Sequence, residues 1–273
     1  MAAVFRLSCG KIVFLCLYFF SVLVLIPQDT PQPVSSARDF AVQINDEEGE
    51  RTITITRYLG SSADVEIPQA VEGIPVRAIG GLAFCGLAPE TKTIEGMGIQ
   101  SVVIPPGVRF IGDHAFYGNQ LTSVRLPEEL RVIGNAAFAE NRLESLALPH
   151  RLTSIGLEAF ARNRIPDIEL PPGLESLGGE AFAENRIAGL SIPQSLRIIE
   201  NYTFAWNRLT GLAIPENILS VGKGAFAGNE IAELTMPGSL TFIGEGAFTE
   251  NEIVSLTIPD GIKTISKAAF AKN

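Results

Sequence analysis

The sequence predicts a β-rich α/β solenoid, and three columns of residues recurring every 22 positions predict it. Proline stands at Pro105, Pro127, Pro149, Pro171, Pro193, Pro215, Pro237 and Pro259. Phenylalanine follows at Phe116, Phe138, Phe160, Phe182, Phe204, Phe226, Phe248 and Phe270, and asparagine at Asn119, Asn141, Asn163, Asn185, Asn207, Asn229, Asn251 and Asn273. No insertion or deletion interrupts these eight units between Ile99 and Asn273. A period held in phase for that long makes each position a column, so equivalent side chains are expected to lie side by side along stacked coils.

One unit, Leu121 to Arg142, shows why. Val124 and Leu126 alternate with Ser123 and Arg125, which predicts a short parallel strand with one buried face. Pro127 follows at once, and because proline brings no N–H to a ladder, parallel pairing is expected to end there and the chain to turn. Leu130 and Ile133 are expected to point inward, and Gly134 to relax the backbone. The stretch AAFAEN reads as a short helical or 3-10 turn that drives Phe138 into the coil, with Ala137 leaving room for it. Asn141, in the turn before the next strand, is expected to pair backbone groups of adjacent coils that would otherwise lack partners, a structural rather than a ligand-binding role. A lone unit buries too little apolar surface to offset the ordering of its chain. Strand pairing between coils about 4.8 Å apart closes that gap.

Residues 38–98 precede the regular run. Phe40 to Ile44 and Thr52 to Tyr58 alternate on either side of the acidic NDEEGER, which predicts a β-hairpin. It is expected to cap the first coil, whose apolar cross-section needs cover. Val65, Ile67 and Pro68 begin a degenerate repeat that resumes at Ile79, Gly80, Ala83 and Phe84, the counterparts of Ile111, Gly112, Ala115 and Phe116. Two expansions, EGIPV and CGLAPETKTIEGMG, are expected to form a local ridge. At the far end Ile253, Leu256, Ile258, Ile262, Ile265 and Phe270 make a last layer with an uncovered edge. That edge predicts self-association, another partner, or a longer parent chain.

The units IPPGVRFIGDHAFYGN, LPEELRVIGNAAFAEN and LPHRLTSIGLEAFARN resemble the BspA-like bacterial branch of the leucine-rich-repeat family. The resemblance covers residues 99–273 fully and residues 40–98 loosely. It implies parallel strands on one face, placement at the cell surface or in the periplasm, and attachment to host matrix or cell-surface proteins without catalysis. The chain departs from the ordinary leucine-rich pattern, since position nine carries Gly107, Glu129, Arg151, Gly173, Ser195, Asn217, Ser239 and Gly261 in place of an asparagine ladder. Asn119 and its equivalents replace the cysteine of many BspA-like units. Glu200 and Ser266 occupy the glycine position.

Residues 1–37 read as a signal peptide and Pro-rich segment. Arg6 and Lys11 precede the apolar run Ile12 to Ile26, which suits an export signal better than a full membrane span. Ser35 and Ala37 form a small-x-small cleavage site. The alternative is an uncleaved anchor with Pro27, Pro31 and Pro33 in its tether. Beyond that segment Cys85 is the only cysteine, so no disulfide within the chain is expected and the thiol reads as a small buried apolar group.

Catalytic chemistry is scarce. Only His114 and His150 are present, at different repeat positions and without cysteine or carboxylate partners at ligand spacing, so neither a metal, a cofactor nor a triad is expected. The 26 glycines punctuate repeats and form no phosphate loop. A net charge of −9 without a basic run speaks against nucleic acid.

Surfaces remain. The outward strand positions, including Arg125, Asp167 and Glu169, form a weakly acidic face open to a broad protein partner or simply to solvent. Arg142, Arg164, Arg186 and Arg208 share one position in four consecutive units and are expected in a row. Guanidiniums that close repel one another unless negative charge lies between them. Either Glu140 and Glu184 supply it as a surface ion-pair ladder, or the row binds an anionic glycan or an acidic protein. Trp206 is expected to be exposed beside Arg208. Phe110, Val132, Ile198 and Phe242, next to the inward isoleucine, are either contact anchors or packing between coils.

Overall fold

The computed structural model describes residues 36–47, 49–88, 91 and 93–273; the expected signal segment, up to residue 35, lies outside them. Among the described residues no helix is long and apolar enough to cross a membrane. Strands Phe40–Glu47 and Glu50–Tyr58 pair antiparallel, from Phe40 with Tyr58 to Glu47 with Glu50. The pairing runs into the acidic stretch expected to be loop, because Asn45 and Asp46 on one strand face Thr52 and Arg51 on the other. Glu50–Tyr58 then pairs in parallel with Ile74–Ile79, which pairs in parallel with Phe110–Ile111.

The principal ladder lies after the proline, where pairing was expected to have ended. Phe110–Ile111, Val132–Ile133, Ser154–Ile155 and Ser176–Leu177 pair in parallel and in register. Ile198–Ile199, Ser220–Val221, Phe242–Ile243 and Thr264–Ile265 repeat the pattern. Proline ends only the first strand: Leu130 N–H bonds back to the Pro127 carbonyl at 3.0 Å, closing a tight turn that delivers the chain to the second ladder. The expected ladder before the proline is broken instead. Asp64–Glu66 pairs with Ser101–Val103, bridges link Val103, Arg125 and Ala147, and pairing resumes between Gly211–Ala213 and Glu233–Thr235. Pro166 sits in the gap, where it has no N–H to match the one that Ala188 donates to the Pro166 carbonyl at 3.0 Å.

The phenylalanines form a single spine. From Phe84 to Phe270 each ring stacks on the next, with centroids 4.6 to 5.9 Å apart and planes within 14°. Tyr58 and Phe40 of the hairpin extend it. Val124, Leu126, Leu130, Ile133, Ala137 and Phe138 all belong to the one core that runs the length of the coils. Asymmetry in the amide column is equally regular: Asn141 Oδ1 accepts the Leu121 N–H at 3.1 Å while its Nδ2 donates to the Phe116 carbonyl of the preceding coil at 2.9 Å. All the asparagines of this column from Asn119 to Asn251 are buried and make equivalent bonds.

AAFAEN makes tight turns with i to i−3 hydrogen bonds, such as Ala139 N–H to Ala136 O at 3.2 Å, and not a helix. Its amides point along the solenoid, Ala136 to Leu157 O, Phe138 to Ala159 O and Glu140 to Ala161 O, so the turns too are laddered from coil to coil. Left-handed backbone occurs inside this turn, at Ala136 (φ 49) and Glu140 (φ 55) and their counterparts, and not at Gly134. Gly134 is small for a different reason: a Cβ there would fall 2.7 Å from the Asp113 nitrogen of the preceding coil.

Glu200 stands at that glycine position, and there the principal ladder opens. Gly178 N–H bonds to Ile155 O at 2.9 Å and Gly222 N–H to Ile199 O at 2.8 Å, while no pairing joins Ser176–Leu177 to Ile198–Ile199. Phe182 and Phe204, across this step, show the widest ring spacing, 5.9 Å. Ser266 keeps its bond to Ile243 O with a smaller side chain.

Candidate functional site

The site residues follow from repeat phase. Arg142, Arg164, Arg186 and Arg208 each donate a backbone N–H to the carbonyl two residues past the asparagine of the preceding coil, that of Leu121, Leu143, Ile165 and Ile187, at 2.9 to 3.0 Å. Identical backbone anchoring sets the four side chains in one exposed row. The expected neutralisation by Glu140 and Glu184 does not occur. Both carboxylates reach Arg162, at 3.3 and 3.7 Å, and Glu158 binds the same guanidinium at 2.9 Å. Residues at the same repeat position in neighbouring coils are closest, so Glu140, Arg162 and Glu184 make their own ladder of alternating sign. Asn141, turned into the core, separates Glu140 from Arg142. Arg164 meets Glu144 at 3.4 Å, whereas Arg142, Arg186 and Arg208 have no carboxylate within ion-pair distance among the described residues.

Trp206 is exposed beside this row, as phase implies, at 47%. Its ring stacks on Tyr202, centroids 5.8 Å apart and planes 7° from parallel. Tyr202 was missed. Its signal lies one repeat further on, where Gly224 and Gly228 leave the space that the two rings fill: a Cβ at either would come within 2.6 Å of a ring atom.

Arg125, Asp167 and Glu169 are exposed on the first-strand face. Arg125 borders a shallow depression of about 370 Å³ with Glu128 and Ser145, while Asp167 and Glu169 lie where pairing lapses. Phe110, Ile198 and Phe242 point outward from the principal ladder and are 42%, 48% and 38% exposed, so they are surface groups. Sequence reading also missed a second arginine row on that ladder. Arg109 N–H bonds to Arg77 O at 2.8 Å and Arg131 N–H to Arg109 O at 2.9 Å. Arg109 and Arg131 are 22 residues apart, but the insertions displace Arg77 from the period.

Among the described residues no group of histidine, cysteine and acidic side chains is arranged to hold a metal. Cys85 is buried, its Sγ donating to the His114 carbonyl at 3.0 Å, and burial pushes the thiol up to about 12. A thiol so rarely ionised is no nucleophile. On the last described coil Val254, Leu256, Ile258 and Ile265 are exposed.

Comparison with known proteins agrees with this geometry. The family described as "BspA type Leucine rich repeat region" matches in six copies, over residues 90–210 and 197–273. A leucine-rich repeat protein from Bacteroides ovatus is 27% identical with a TM-score of 0.65, over 82% of this chain and 58% of its own. This chain therefore spans somewhat over half the length of that protein. The T. pallidum leucine rich repeat protein is 24% identical with a TM-score of 0.54, over 79% of this chain and 88% of its own. Pneumococcal vaccine antigen PcpA is 20% identical with a TM-score of 0.52, over 85% and 78%. These last two share the fold. No curated protein matches the chain.

Proposed function

Since the chain belongs to the BspA-type leucine-rich-repeat family, whose repeats form platforms for protein interaction, we propose that it is an exported, non-enzymatic adhesion module. Its partner is a protein with an acidic face, of the host-matrix or cell-surface kind. One observation carries this reading: Arg142, Arg164, Arg186 and Arg208 stand in a row that the chain's own carboxylates leave largely unneutralised. Holding like charges at coil spacing without countercharge costs stability, and an acidic partner removes that cost. Trp206, stacked on Tyr202 at the end of the row, supplies an aromatic contact of the kind that anchors interfaces. The apolar run Ile12 to Ile26 supports export.

Retention of the chain on surfaces coated with extracellular matrix, measured over a salt series, tests the row. Retention that falls with salt and is lost in Arg164→Ser/Arg186→Ser is the expected result; salt-independent retention unaffected by the pair removes this reading. Heparin is the comparison surface. The same row fits anionic glycans, and retention on heparin but not on matrix protein would assign it to them. Labelling of intact cells with an impermeant reagent separates surface exposure from a scaffolding role inside the envelope.

A further inference from the structure

We propose that the cleft beside the hairpin, floored by Phe110 and walled by Arg77 and Arg109, binds a saccharide carrying a carboxylate. It is a different place from the Arg142 row and stands or falls separately. The argument begins at a bulge. Ile53 pairs with Val76 and Thr54 with Ala78, so Arg77 is the extra residue of its strand. Val76 and Ile79 are fully buried, and the bulge turns Arg77 and Ala78 outward between them. Bulges re-aim side chains in this way next to functional sites.

The space that Arg77 enters is made for it. Its guanidinium lies over Gly107, where a Cβ would come 2.3 Å from Nη1 and where the backbone, at φ +95, favours glycine. Arg77 Nε is shut off from solvent and has no hydrogen-bond acceptor. Glu50 Oε1 is 4.0 Å away, near enough to attract but too far to bond. A closed-off N–H without an acceptor is costly, and the guanidinium, on a side chain 30% exposed, need only turn toward the cleft for a ligand oxygen to satisfy it. Arg109, exposed, is the next member of the row and has no carboxylate within ion-pair distance among the described residues.

The remaining lining selects the ligand. The cleft is open, about 910 Å³, and contains Asn45, Glu50, Thr52 and Thr54 besides Phe110. Asn45 Nδ2 donates to Thr54 Oγ1 at 2.9 Å, which leaves the Thr54 hydroxyl hydrogen for a ligand acceptor. Glu50 accepts from ligand hydroxyls. Two planar guanidiniums match a carboxylate, the hydroxyl and carboxylate groups match sugar hydroxyls, and the exposed Phe110 ring covers the apolar face of a pyranose. A neutral sugar leaves Arg77 unmatched, an alkyl acid leaves Glu50 and the threonines unmatched, and a bare anion leaves Phe110 unused.

Isothermal titration of the intact chain with trigalacturonate, beside a neutral galactose trimer, tests the assignment. Binding of the acidic trimer alone is expected, weakened about tenfold by Arg109→Ser through loss of one charged hydrogen bond. Arg77→Ser abolishes it and Phe110→Ala weakens it, losses that binding at the Arg142 row alone would not show. Arg109 is exposed and outside the core, so its variant remains decisive if Arg77→Ser does not fold. No heat with trigalacturonate, equal binding of the neutral trimer, or full binding by Arg109→Ser overturns the proposal.

Discussion

Asn163 donates from Nδ2 to the carbonyl of Phe138, 25 residues earlier, at 2.9 Å, while its Oδ1 accepts the Leu143 N–H at 3.0 Å. A single buried amide therefore ties two coils together and satisfies backbone groups that neither strand pairing nor water reaches. Replacing it with alanine leaves the Leu143 N–H buried and unpaired and the Phe138 carbonyl with only the Asn141 amide as donor. Asn163→Ala is expected to lower stability by about 3 kcal/mol, with Asn163→Asp also destabilising because it loses the donor, as read by urea denaturation. Wild-type stability in both variants would show that the column is dispensable.

The opening at Glu200 has a dynamic signature. Its amide lacks the cross-coil acceptor that Gly178 and Gly222 have. Hydrogen exchange is expected to be faster at Glu200 and Arg197 than at Gly178 and Gly222, and Glu200→Gly to slow it by letting the coils close. Equal protection at all four amides would contradict the open step.

Glu180 predicts a pH dependence. Burial, and then the neighbouring Glu158, hold its carboxyl above the usual range, with Arg162 opposing and Glu184 adding. A carboxyl with a raised folded pKa contributes its full stability below the unfolded pKa and loses it as pH rises through the folded value. Glu180→Gln is therefore expected to raise the melting temperature at pH 7 and to leave it nearly unchanged at pH 3. A lower melting temperature at pH 7 would reverse the sign.

Cys85 reports on global opening. With its thiol held up to about 12 by burial, alkylation at pH 8 is expected only after denaturation. Rapid labelling of Cys85 itself in the native chain, located by peptide mass, would mean that the first coils open locally.

The regular columns were legible because every coil meets the same neighbours. A phenylalanine in phase stacks on a phenylalanine, and an asparagine in phase finds the same carbonyl, whatever the intervening residues. Arg77 and Tyr202 were not legible for the opposite reason. Arg77 depends on a bulge and an insertion that put it out of phase, and the Tyr202–Trp206 pair depends on what the next coil lacks, at Gly224 and Gly228.

From the order of residues alone came the solenoid, its inward faces, the Phe138 spine, the Asn141 column and the exposure of the Arg142 row, since a strict 22-residue period dictates which side chains stack. Folding in three dimensions settled where the backbone pairs and where it bends. The lasting ladder runs after Pro127 and not before it, the left-handed turns fall at Ala136 and Glu140 and not at Gly134, and Glu140 pairs with Arg162 and not with Arg142. Those outcomes depend on distances between coils, and a one-dimensional pattern carries the phase of a residue but not how closely its neighbour approaches.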